Sequence, residues 1–107
     1  MEKKFEQMKD LVFTEVEKRI NSKKVYAFIK GTPAQPRCKF TRRLLESFEG
    51  LKLESLGFST TDILSEQVFR QWVPFYSQWP TFPQVYVDGK FAGGVDVVTE
   101  MIENEEF

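Results

Sequence analysis

The sequence predicts an α/β fold in which helices cover both faces of a four-stranded mixed sheet, and three observations carry that prediction. A continuous apolar run, Val25 to Ile29, lies between two helical patterns, as befits a strand buried on both faces. The dipeptide Asp88-Gly89 separates two short strand-forming stretches and has the composition of a two-residue hairpin turn. The element order is helix, strand, helix, strand, helix, hairpin, helix. A helix between the first two strands makes them a parallel pair with a right-handed crossover, and the hairpin adds two more strands to the same sheet.

The first helix follows from Phe5, Met8, Val12, Val16 and Ile20, whose steps of three and four place them on one face. Asn21-Ser22-Lys23-Lys24 ends it, and Val25-Tyr26-Ala27-Phe28-Ile29 forms the central strand. Lys30-Gly31-Thr32-Pro33-Ala34-Gln35-Pro36-Arg37 is a loop punctuated by one glycine and two prolines, and it delivers the chain to Cys38. Cys38 opens a second helix running to about Phe48, with Leu44, Leu45 and Phe48 facing inward. Alternation of Leu56, Phe58 and Thr60 predicts a second strand over Leu56 to Thr61.

A third helix is expected after Ser65, a candidate N-cap, with Val68, Phe69, Trp72 and Val73 as its apolar content. Pro74 is expected to distort it or end it early. Gln84 to Val87 and Lys90 to Ala92 form the hairpin, Gly93-Gly94 breaks its second strand, and Asp96 can cap a last helix that turns Val98, Met101 and Ile102 inward.

At 107 residues the chain suits one domain with one core. The 41% hydrophobic, 15% aromatic and 29% charged residues are those of a folded chain, and eleven phenylalanines point to a core rich in rings. With no histidine and one cysteine, neither a Cys/His zinc site within one chain nor an imidazole-based triad can be assembled. A single thiol excludes an intramolecular disulfide and fits a reducing compartment, with cytoplasmic location as the expectation. Val25 to Ile29 is the longest apolar run, far short of the roughly 20 residues a membrane helix needs. The N-terminal residues mix acids and bases, unlike a secretory or transit segment. No nucleic-acid partner is expected, because four bases near Cys38 with one interleaved aromatic make a thin footprint on a chain of net charge −1.

The chemistry gathers at Cys38, around which lie Arg37, Lys39, Arg42 and Arg43. Cations in the first turns of a helix oppose its dipole, which suggests an anionic ligand. A thiol at a helix N-terminus beside positive charge has its thiolate stabilised and becomes a nucleophile. A free cysteine is about as often a buried structural residue; the loop-to-helix position favours the reactive reading.

Four motifs, in order and spacing, resemble the monothiol glutaredoxins from about Val25 to the C-terminus: Lys30-Gly31-Thr32-Pro33; Pro36-Arg37-Cys38-Lys39-Phe40-Thr41; Trp79-Pro80-Thr81-Phe82-Pro83-Gln84-Val85-Tyr86-Val87-Asp88-Gly89; and Gly93-Gly94-Val95-Asp96. The resemblance implies a thioredoxin-like (glutaredoxin) fold, with 1–24 as an N-terminal helix and 25–107 as the core of one glutaredoxin domain. It implies a cis Phe82-Pro83 bond and a glutathione site. There Lys30 and Arg70 hold the glycine carboxylate, Thr81 and Phe82 supply peptide-like contacts, and Val95 and Asp96 meet the γ-glutamyl end.

The family is also known for a [2Fe-2S] cluster, which needs four ligands where this chain owns one thiol. Cys38 from each of two chains and two glutathione thiols would complete the set. The resemblance therefore implies a homodimer when loaded and a monomer otherwise, with BolA-like proteins and iron-sulfur recipients as partners.

The family hallmark Cys-Gly-Phe-Ser reads Cys38-Lys39-Phe40-Thr41 here. A lysine where glycine leaves room for a second protomer must swing aside for a cluster, and it favours thiolate and anionic glutathione instead. The primary expectation is a cluster-carrying monothiol glutaredoxin. The alternatives are a glutathione-dependent thiol-disulfide oxidoreductase without a cluster and a non-enzymatic adaptor domain.

Overall fold

The computed structural model describes residues 2–107, with the side chains of Glu2 and Glu54 outside the description. Its elements are α1 (Glu2–Ile20), β1 (Val25–Ile29), α2 (Lys39–Phe48), α3 (Leu53–Leu56), β2 (Phe58–Asp62), α4 (Gln67–Ser77), β3 (Gln84–Val87), β4 (Lys90–Gly93) and α5 (Val95–Glu103). The strand order is β2-β1-β3-β4, with β1 and β2 parallel and the remaining pairs antiparallel. This is the expected mixed sheet.

Alternation along β1 divides the core into two layers, because successive strand side chains leave the sheet on opposite faces. Tyr26 and Phe28 join Val12, Val16 and Ile20 of α1 and Phe69, Trp72 and Val73 of α4. Val25, Ala27 and Ile29 join Leu44 and Phe48 of α2 and Val95 and Val98 of α5. All five residues of β1 are buried, so this strand is the axis on which both helical layers rest.

Several local expectations are corrected. Of the expected face of α1, Val12, Val16 and Ile20 are buried, whereas Phe5 and Met8 are 57% and 47% exposed, Phe5 resting on Trp72 with ring centroids 4.8 Å apart; Phe13, outside the expected set, packs against the same core. The second strand begins at Phe58, and Leu56 belongs to the short α3, whose ending at Gly57 (φ 96°) starts the strand two residues late. Ser65 does not cap α4: its hydroxyl donates to Asp62 Oδ2 at 2.8 Å, and Glu66 occupies the cap position. Pro74 lies inside α4, which continues to Ser77. Pro74 lacks the N–H that would reach back one turn, but Trp72 and Val73 are buried and tertiary packing holds the helix through that gap. Asp96 does not cap α5 either; Gly94 is the cap residue and Asp96 stands in the first turn.

The hairpin matches its sequence. Asp88 (φ 51°) and Gly89 (φ 77°) are both left-handed, as a type I′ turn requires. On the other edge Arg19 ties α1 to its neighbours. Its guanidinium donates to both Glu66 carboxylate oxygens at 3.0 Å and to Thr61 Oγ1 at 2.9 Å, and lies 4.3 Å from the Phe69 ring centroid. No helix among the described residues is long and apolar enough to cross a membrane.

Candidate functional site at the N-terminus of α2

Residues 30–37 form a closed loop that aims Cys38. The Arg37 N–H donates to the Lys30 carbonyl at 2.9 Å, and Thr32 and Gln35 exchange backbone hydrogen bonds at 3.2 and 3.1 Å. Gly31 makes this possible: its φ is 95°, and a methyl group there would stand 2.5 Å from the Gln35 carbonyl oxygen.

Asp62, at the end of β2, clasps the same loop from below. Its Oδ1 accepts from the N–H groups of Gly31 and Leu64, both at 2.9 Å. Partial burial pushes this carboxyl up, but the N–H of Gly31 and the Ser65 hydroxyl outweigh burial, and the net position is below the ordinary 3.8. Because the folded chain holds the carboxylate more tightly than the unfolded one, its contribution to stability is present above pH 3.8 and is lost as pH falls through the lower folded value. Replacing Asp62 by Asn is therefore expected to lower stability near neutral pH by about 2 kcal/mol, with the deficit shrinking in acid. Urea unfolding across pH measures this, and a deficit independent of pH would refute the clasp.

Cys38 is the N-cap residue of α2, in extended conformation (φ −153°, ψ 139°), and its thiol is half-buried. Burial pushes the thiol up. The backbone N–H groups of Thr41 and Phe40, the Lys30 ammonium and the Thr41 hydroxyl pull harder, so it ionises below the ordinary 9.0. The sequence credits Arg37 and Lys39 with this effect. In the structure the cation with the larger influence is Lys30, and the Lys39 ammonium lies 5.2 Å from the Phe40 ring centroid. Thr41, fully buried, also accepts the Lys30 N–H at 3.2 Å and so joins the thiol's helix to the loop.

Beside Cys38 runs an open groove of about 700 Å³. Lys30, Arg70, Thr81, Phe82, Val95 and Asp96 all line it, although they come from four separate segments. Cys38 does not itself line the groove, but two lining residues act on its thiol, Phe40 through its backbone N–H and Lys30 through its charge. Sequence reasoning singled out the six but did not assign Phe40, Trp79 or Val97 to the wall. The Phe82-Pro83 bond is cis, as expected. Asp96 has an exposed carboxylate, 3.4 Å from the Arg43 guanidinium. Another depression between α1 and α4 is lined by Phe5, Met8, Val68 and Trp72 and contains no thiol, hydroxyl or carboxylate, so the nucleophile belongs to the first.

A mixed sheet with helices on both faces, an acidified thiol at a helix N-terminus and a cis proline in the adjoining groove define a thiol protein of thioredoxin-like fold. The glutaredoxin family model matches residues 23–92, and the chain belongs to the glutaredoxin family. It is 37% identical over 91 residues to an uncharacterized monothiol glutaredoxin ycf64-like protein of Synechocystis, covering 85% of this chain and 82% of that one. It is 44% identical over 87 residues to glutaredoxin 3 of Danio rerio, covering 81% of this chain but 26% of the relative. Several curated relatives are thus much longer than the region they share with it. The solution structure of a monomeric truncated mutant of Trypanosoma brucei 1-C-Grx1 superposes with a TM-score of 0.76 at 35% identity, covering 88% of this chain and 83% of that one.

Proposed function

We propose that residues 25–107 form a monothiol glutaredoxin core, with 1–24 as an added N-terminal helix, that binds glutathione beside Cys38 and carries a [2Fe-2S] cluster between two chains. The observation that carries the reading is the groove in which Lys30 and Arg70 join Thr81, Phe82, Val95 and Asp96 next to an acidified thiol. Glutathione has two carboxylates and one ammonium. Lys30 and Arg70 pair with the glycine carboxylate, the backbone at Thr81 and Phe82 with the peptide, and the start of α5 with the γ-glutamyl carboxylate. Asp96 exchanges its Arg43 partner for the ammonium.

Among the described residues no three His, Cys, Asp or Glu side chains come together as a metal site. Cys38 fits as one ligand of a shared cluster: it is half-buried and held toward the thiolate, the form that binds iron. Its counterpart in a second chain and two glutathione thiols complete four. The cluster is then cargo for a recipient protein, and BolA-like proteins are candidate partners.

A second reading rests on Lys39, which stands where the family hallmark has glycine. Here the Cys38 thiolate attacks the disulfide of a glutathionylated partner at the glutathione sulfur, expelling the partner as thiolate. A second glutathione thiolate then attacks the Cys38–glutathione disulfide, forming oxidised glutathione and regenerating Cys38.

Anaerobic reconstitution with iron, sulfide and glutathione separates the two. The expected result is a coloured dimer that requires both glutathione and Cys38, read by visible absorbance and mass in solution. A colourless monomer that still forms a Cys38 mixed disulfide would overturn the cluster reading and leave the exchange reaction.

A further inference from the structure

Gln84 is the first residue of β3, and its side chain is fully buried. Its amide Nε2 donates to the Trp79 carbonyl at 2.8 Å and the Thr81 carbonyl at 3.3 Å, while its Oε1 accepts from the Tyr86 hydroxyl at 3.2 Å. Tyr86 is itself 1% exposed, and burial pushes its phenol above the ordinary 10.0, so it stays a donor. Among the described residues no main-chain to main-chain turn bond holds segment 79–83 in place. The Ser77 hydroxyl anchors the start of the segment, 3.2 Å from the Trp79 N–H and 3.3 Å from its carbonyl. The buried Gln84 amide spends both of its protons on two carbonyls of the loop and carries that anchorage on to Thr81, the work a turn would do elsewhere. That loop is the groove wall presented by Trp79, Thr81 and Phe82.

We infer that Gln84, backed by Tyr86, is a positioning residue that sets the 79–83 wall of the groove and thereby its affinity for glutathione, while leaving the acidity of Cys38 untouched. The separation follows from the contacts: the thiol answers to Thr41, Phe40 and Lys30, none of which Gln84 bonds. The ligand in this inference rests on the glutathione reading above.

The test is Gln84→Met, which nearly conserves volume and removes every hydrogen bond of the amide. Titration calorimetry with reduced glutathione is expected to show binding weakened about tenfold, the worth of roughly one net hydrogen bond. The pH midpoint of Cys38 alkylation by iodoacetamide should stay where it is in the parent chain. In nitrogen-15 spectra the shifts should centre on Thr81 and Phe82. Tyr86→Phe, which removes only the Oε1 partner, should give a smaller loss in the same direction, and it serves if Gln84→Met does not fold. Gln84→Glu should bind better as pH falls, because a protonated acid restores one donor to the two carbonyls.

Unchanged affinity in Gln84→Met would overturn the inference, as would an alkylation midpoint that moves with the affinity, since that is the mark of general loosening. Parent protein that binds no glutathione would overturn the ligand reading instead, and the Thr81 and Phe82 amide shifts would then decide the positioning role alone.

Discussion

Replacement of Cys38 by Ser is expected to remove all mixed-disulfide formation with glutathione, because the chain has no second thiol to substitute for it. The loss is chemical. A serine hydroxyl keeps the size and extended backbone of the position but does not ionise in the accessible range and forms no disulfide. The fold should be unaffected, since Cys38 is half-buried at the mouth of a loop and outside both core layers.

The parent thiol has a pH signature that the variant lacks. Cys38 ionises below 9.0 in the folded chain, so its alkylation rate should rise through a midpoint lower than that of a free cysteine. The same depression makes the folded state gain stability as pH rises from the folded value toward 9.0, with the gain absent below it. Mass spectrometry after incubation with oxidised glutathione reads the adduct, and an adduct on Cys38→Ser would contradict the assignment of the nucleophile. An alkylation midpoint at or above 9.0 in the parent would contradict the electrostatic account.

Phe28→Ala is expected to have the largest effect on stability of any single truncation in the central strand. Phe28 is fully buried in β1 and meets three rings, with centroids 5.5 Å away at Tyr26, 6.1 Å at Phe69 and 5.9 Å at Tyr86. It joins the sheet to α4 and to the strand that follows the groove wall, so the space it leaves has no single neighbour free to fill it. A cost of about 3–5 kcal/mol is expected, against a total of about 5–15 kcal/mol for a domain of ordinary stability. Phe40→Ala is the contrast, since Phe40 is 48% exposed and its loss should change stability by less than about 1 kcal/mol. Urea denaturation of the two variants measures both, and equal costs would refute the layer assignment.

The elements legible in the sequence were those whose pattern is local. Val25 to Ile29 is an unbroken apolar run, and Asp88-Gly89 is a turn that two adjacent residues specify; both appear in the fold where they were expected. The element order, together with the handedness of crossovers, was enough for a four-stranded mixed sheet with a parallel first pair; that the hairpin joins beside β1, giving β2-β1-β3-β4, came from the structure. The elements misread were those where packing overrides propensity. Helix α4 passes through Pro74 because buried side chains before it hold the turn, and Leu56 alternates like a strand residue yet ends a four-residue helix. No periodicity reports either fact.

The candidate site divides the same way. The motifs around Cys38, Thr81-Phe82-Pro83 and Val95-Asp96 marked five groove residues and the thiol, and the stretch Arg70-Gln71 marked the sixth. The identity of the controlling cation was not legible. Arg37 and Lys39 adjoin Cys38 in sequence, but the loop closed by Gly31 and clasped by Asp62 brings Lys30 to the thiol from eight positions away. Gln84 lies within the Trp79–Gly89 motif but had no role legible there, because a glutamine opening a strand is ordinary until its amide is seen to be buried beneath two carbonyls.

What the chain's sequence determined by itself is the inventory: one thiol, no imidazole, an α/β order of elements and the segments from which a groove could be built. Tertiary structure alone decided which charge acidifies the thiol, where the groove wall stands and which buried amide holds it. The reason is physical: strand and turn preferences act between near neighbours in the chain, whereas electrostatic influence and buried hydrogen bonds depend on distance in space, which is set only once both layers have packed on β1.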